Sequence, residues 1–79
     1  MSGRVQVLIR EGCHLCKDAL GVVADVCDDV GEPFQVVDVD SDPSLRERFS
    51  DEVPVVLVDG EVVGFWRISP EAVRDALTG

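Results

Sequence analysis

Two hydrophobic periods follow one another along this chain, and the places where they switch mark its elements. Val5-Gln6-Val7-Leu8-Ile9 is short, rich in β-branched residues and closed by Arg10-Glu11-Gly12, which predicts a buried strand ending in a tight turn. From Cys13 to about Val30 the period lengthens. Lys17, Asp18, Gly21, Asp25 and Asp28 recur at close to helical spacing, while Leu15, Ala19, Leu20, Val22, Val23, Val26, Cys27 and Val30 fill the rest. That predicts a helix with a broad apolar face for a sheet. Gly31 suits its C-terminal cap and Pro33 blocks continuation.

Phe34-Gln35-Val36-Val37-Asp38-Val39 predicts a second strand, parallel to the first because a helix separates them. Asp42 as N-cap and Pro43 at N1 open a short helix over Ser44–Phe49, with Leu45 and Phe49 facing inward. Val53–Val58 predicts a third strand. Asp59-Gly60 is a two-residue hairpin signal of the type I′ kind, and Glu61–Trp66 its antiparallel partner. Alternation places Phe65 and Trp66 on opposite faces, so one of them is expected in the core. Ser69-Pro70-Glu71 then opens a last helix with Ala72, Val73, Ala76 and Leu77 as its apolar stripe. The order β-α-β-α-β-β-α, without repeat or linker, fits one α/β domain over residues 1–79.

Composition narrows the function classes. With 16 acidic against 7 basic residues the formal charge is −9, which disfavours phosphate backbones and anionic membranes, so neither nucleic acid nor a membrane is an expected partner. No apolar run approaches the roughly 18 residues of a membrane span. The start, Met1-Ser2-Gly3-Arg4, leads into an apolar run too short for a secretory signal, and the expected compartment is the cytoplasm.

The three cysteines are the chemistry-bearing residues. Cys13-His14-Leu15-Cys16 sits at the first strand-to-helix junction, where free N–H groups of a helix's first turn favour a thiolate. Arg10, Lys17 and His14 are the nearby cations or potential cations. The competing reading is a metal half-site. Closed zinc sites need four ligands, and Cys27 lies about 16 Å from Cys16 along a helix rising about 1.5 Å per residue. One chain cannot close that site, which leaves a metal or iron–sulfur cluster bridging two chains as the alternative. Cys27 itself reads as a small buried hydrophobe.

The element order, the Cys-x-x-Cys at the first junction, Val53-Pro54 opening the third strand, and Asp59-Gly60 followed by Gly64 together resemble the thioredoxin fold. Within it they resemble small bacterial glutaredoxin-like proteins. The resemblance covers nearly the whole chain and implies a four-stranded mixed sheet flanked by helices. It implies a thiol–disulfide oxidoreductase with Cys13 as exposed nucleophile, Cys16 as resolving thiol and Pro54 as a cis-proline facing the dithiol. Val53, Pro54, Arg10, Gly64 and Trp66 are the substrate-side candidates. Several positions depart from the family pattern: His14-Leu15 replaces Pro-Tyr, Glu52 replaces Thr, Phe65 replaces a second Gly, and Arg67 stands where an acidic residue holds glutathione's amino group. No glutathione site is carried over on that evidence. The expected partners are a disulfide-bearing protein or a small thiol, acting on a monomer with no tightly bound cofactor and no metal. An external thiol, glutathione or another of low molecular weight, is the expected reductant. A non-catalytic protein-binding module on the same fold is the further alternative.

Overall fold

Strand β1 (Val5–Ile9) lies inside a four-stranded sheet because three of its five side chains are apolar and buried from both faces. The computed structural model describes residues 4–78. Helix α1 (His14–Val30) follows, then β2 (Phe34–Asp38), a 3-10 turn (Val39–Ser41), α2 (Pro43–Phe49), β3 (Val55–Val58), β4 (Glu61–Phe65) and α3 (Pro70–Thr78). The sheet order is β2-β1-β3-β4, with β2 parallel to β1 and the other pairs antiparallel. This is the mixed thioredoxin-like sheet that the hydrophobic pattern and the resemblance predict.

The pleat divides the core in two. Val5, Val7, Val56 and Val58 point to one face, where Val23, Val26 and Cys27 of α1 and Val73 and Leu77 of α3 cover them. Leu8 and Val55 point to the other, where Val39 and Phe49 close over them. Each fully buried aliphatic side chain of this kind contributes roughly 1.5–3 kcal/mol. The helix ends follow their local chemistry. Gly31 adopts φ +76° and donates its N–H to the Cys27 carbonyl. Asp42 Oδ1 accepts from Ser44 N at 2.8 Å, and Ser69 Oγ accepts from Ala72 N at 3.3 Å. Asp59 and Gly60 both have positive φ, as a type I′ turn requires.

Three expectations are corrected. Strand β2 stops at Asp38, whose Oδ1 accepts from Asp40 N at 2.9 Å and turns Val39 into the core within the 3-10 turn. Strand β3 starts at Val55, since Pro54 has no N–H for a ladder. Neither Phe65 nor Trp66 is core: they are 46% and 53% exposed. A bulge sets Val56 opposite Gly64 and Leu57 opposite Val62, leaving Val63 extra and breaking the alternation. Phe65 then shares the face of Val55, on the edge strand β4. Trp66 leaves extended backbone altogether at φ +61°.

Candidate functional site

The dithiol lies where β1 ends and α1 begins. Gly12 turns the chain at φ +80°, and Cys13 N donates to the Arg10 carbonyl at 3.3 Å. Cys13 thereby becomes the N-cap of α1 in extended conformation. Its Sγ accepts the Cys16 N–H at 3.2 Å, one of the helix's otherwise unpartnered first-turn donors. The Cys13 thiol is half-buried; Cys16, one turn on, is only 4% exposed. Burial pushes the Cys16 thiol up to about 11, and its hydrogen bond and proximity to the Cys13 sulfur add to this, partly opposed by a backbone hydrogen bond with Arg10. Cys16 is therefore a protonated thiol at neutral pH, held beside a more accessible one. Among the described residues all three cysteines are free.

The Val53-Pro54 loop faces this pair. The Val53–Pro54 bond is cis, and the Cys13 thiol donates to the Val53 carbonyl over a long 4.0 Å contact. Pro54 is buried and Val53 half-buried. The Pro54 carbonyl accepts from Trp66 N at 2.9 Å, which joins the residue after β4 to this loop. Gly64 pairs with Val56 inside the sheet, and a Cβ there would meet Ile68 Cδ1 at 3.4 Å. Gly64 is not among the residues lining the groove that holds the two cysteines.

Two recesses lie on either side of the first turns of α1, one of them holding the dithiol. A groove of about 410 Å³ is lined by both cysteines, by the apolar Ile9 and Leu20, and by Arg10, His14 and Lys17. No carboxylate lines it. A smaller cleft of about 160 Å³ lies on the other side, where Leu15 of the motif meets Trp66, Arg67 and Ile68 across α1. Trp66 thus stands beside Leu15 and outside the groove that holds Cys13. Arg10 borders the groove but is tied to Asp40 Oδ2 at 3.2 Å. That pairing has no local sequence signal. It follows from the register Ile9 opposite Asp38, which brings the ends of β1 and β2 together. Arg67, in the position where the resemblance leads one to expect an acidic group, lines the Trp66 cleft.

Cys27 lies on the same buried stripe of α1, about 21 Å from Cys13 at about 1.5 Å per residue. It is 2% exposed, and burial, with Glu32 adding to it, pushes its thiol upward. It borders a broader, acidic recess of about 570 Å³ with Asp25, Asp28 and Glu32, remote from the dithiol. Among the described residues no three His, Cys, Asp or Glu side chains gather as a metal-ligand set, and no helix is long and apolar enough to cross a membrane.

Known proteins share both sequence and architecture with this chain. The family model for the glutaredoxin-like domain (DUF836) matches residues 4–78. An uncharacterized protein of Mycobacterium tuberculosis is 32% identical over 76 residues, covering 90% of this chain and 78% of the relative. A structural-genomics target protein from X. campestris superposes with a TM-score of 0.74 at 26% identity, over 92% of this chain and 93% of that one. The glutaredoxin from Archaeoglobus fulgidus superposes with a TM-score of 0.66 at 18% identity, over 98% and 88%, and so shares the fold.

Proposed function

Because the chain belongs to the glutaredoxin-like domain family (DUF836), we propose that it is a thiol–disulfide oxidoreductase working through Cys13 and Cys16. The glutaredoxin-like thioredoxin fold supports a redox function. One observation carries the finer reading: a half-buried Cys13 sulfur at a helix N-cap, 3.2 Å from the Cys16 N–H, with the Val53 carbonyl opposite.

Cys13, as thiolate, attacks one sulfur of a substrate disulfide. The substrate S–S bond breaks, one substrate thiolate leaves and takes up a proton, and a Cys13 mixed disulfide forms. Cys16 then loses its proton as it attacks the Cys13 sulfur, and the second substrate thiol departs. The substrate has gained two electrons and the protein holds a Cys13–Cys16 bond. Two equivalents of an external low-molecular-weight thiol, glutathione or another, restore the dithiol and become a disulfide. The raised Cys16 pKa suits this order, because a protonated Cys16 does not compete with Cys13 for the incoming disulfide. On this reading the protein acts as a monomer in the cytoplasm, holds no tight cofactor, and takes a disulfide-bearing protein or a small thiol disulfide as substrate.

The test is turnover of a peptide disulfide against a thiol reductant, with two variants. Cys13→Ser is expected to reduce exchange to background, and Cys16→Ser to accumulate a mixed disulfide that peptide mass mapping places on Cys13. Undiminished turnover in Cys13→Ser, or a mixed disulfide on Cys27, contradicts the assignment.

A further inference from the structure

We propose that Trp66, braced by Phe65, is a specificity-determining residue that selects polypeptide disulfides carrying an apolar side chain beside the reacting cysteine; this rests on disulfide exchange at Cys13. Trp66 is the chain's single tryptophan, and it is more exposed than buried. Its backbone has φ +61°, a left-handed conformation that any residue with a Cβ adopts at a cost and that glycine adopts freely. On such backbone the large side chain is left 53% exposed.

The indole is nevertheless held firmly. Its Nε1 donates to the Asp51 carbonyl at 2.9 Å, the backbone N–H of Trp66 donates to the Pro54 carbonyl at 2.9 Å, and the Phe65 ring meets the indole edge-to-face at 5.3 Å. An exposed aromatic fixed in advance loses little freedom on contact, which is the property of interface anchors. Its location names the occupant. The Pro54 carbonyl bonds it to the loop opposite Cys13, and Leu15, two residues after Cys13, lines the same cleft. On this proposal, a polypeptide that reaches Cys13 from the Pro54 side sets its flanking side chain against Trp66 and Leu15. At about 160 Å³ the cleft has room for one side chain; Leu15, Ala19, Val22 and Ile68 are its apolar walls beside Trp66, and Asp18 and Arg67 line it as well. A leucine-sized side chain matches that volume.

The experiment compares two peptide disulfides differing only in the residue next to the cysteine, leucine or serine, by the ratio of their kcat/KM values. Wild type is expected to favour leucine about tenfold or more. Trp66→Gly, which suits the positive φ and keeps the backbone N–H bonded to Pro54, is expected to bring the ratio to near one. Trp66→Phe is expected to restore much of it, because it returns an apolar ring. The indole fluorescence of wild type should shift on titration with the leucine peptide whose cysteine is replaced by serine, and not with its serine-flanked counterpart. If wild type reduces neither peptide, disulfide exchange itself falls, and this inference with it. If wild type turns both over and the ratio is the same in Trp66→Gly, exchange stands and the role of Trp66 is overturned. A concentration-dependent dimer that dissociates in Trp66→Gly would also overturn it, by giving the ledge to a second copy of the chain.

Discussion

The two ends of α1 carry the same functional group in opposite settings. At the N-terminal end, Cys13 is a cap: half-buried, beside a groove lined by Arg10, His14 and Lys17, with a helix N–H aimed at its sulfur. At the C-terminal end, Cys27 is packing: 2% exposed, among Val23, Val26 and Val73, with Glu32 nearby. Cys16 stands between these extremes, buried like Cys27 but within reach of Cys13. Thiol chemistry is thus decided by position along one helix. The cap supplies hydrogen-bond donors and access, whereas the stripe supplies only an apolar surround that opposes ionisation.

Exchanging each thiol for a hydroxyl is the sharpest way to break this contrast. Cys13→Ser should reduce disulfide exchange to background while leaving stability unchanged or slightly higher, because serine is a favoured N-cap. Cys27→Ser should do the reverse, with exchange within about twofold of wild type and a loss of roughly 1–3 kcal/mol as a hydroxyl is buried without a partner. Turnover assays and urea unfolding of both variants check the crossed pattern. Matched losses of activity and stability in both would remove the distinction.

Alkaline pH separates the buried thiols from the cap. Well below about pH 8.5 the Cys16 and Cys27 thiols are protonated in folded and unfolded chains alike, and their full stabilisation is present. As pH rises toward 11, thiols of the unfolded chain ionise while Cys16 does not, so stability falls until the folded thiol titrates near 11. The slope is at most about 1.4 kcal/mol per pH unit for each such thiol. Cys27, raised in the same direction, adds to the decline. Unfolding curves from pH 8 to 11 should show the decline in the reduced protein, a shallower one in Cys16→Ala, and the Cys27 part persisting after Cys13 and Cys16 are joined by oxidation.

The smallest expected effect concerns the two glycines that bracket the helix. Gly12 and Gly31 have φ +80° and +76° with open space where a Cβ would stand, so each alanine variant should lose about 1 kcal/mol from backbone conformation alone. Only Gly12→Ala should also slow exchange, because Gly12 turns the chain into Cys13. Equal exchange rates in the two variants would show that this turn is not what places the sulfur.

Much of this arrangement was legible before the structure. The β-branched runs, the Asp42 and Ser69 caps, Gly31 and Asp59-Gly60 act over a few residues, so local chemistry determined them, and the mixed sheet followed from their order. Motif and resemblance point to Cys13, Cys16, Val53 and Pro54, and the fold brings them together. What was not legible depends on register. The bulge at Val63 sets Phe65 opposite Val55, and left-handed backbone takes Trp66 out of the strand; strict alternation foresees neither. Arg10 meets Asp40 only because β1 and β2 end side by side. Trp66 turns into left-handed backbone held by Asp51 and Pro54, partners that no local pattern links to it.

The most direct measurement of the central claim is reaction of the reduced native protein with an aromatic disulfide whose released thiol is coloured. With Cys13 attacking and Cys16 resolving, the account predicts that two of the three thiols are consumed in a fast phase, leaving a Cys13–Cys16 disulfide, and that Cys27 reacts only after denaturant is added. Mapping that finds Cys27 consumed in the fast phase, or a stable adduct on Cys13 with Cys16 still free, would contradict it.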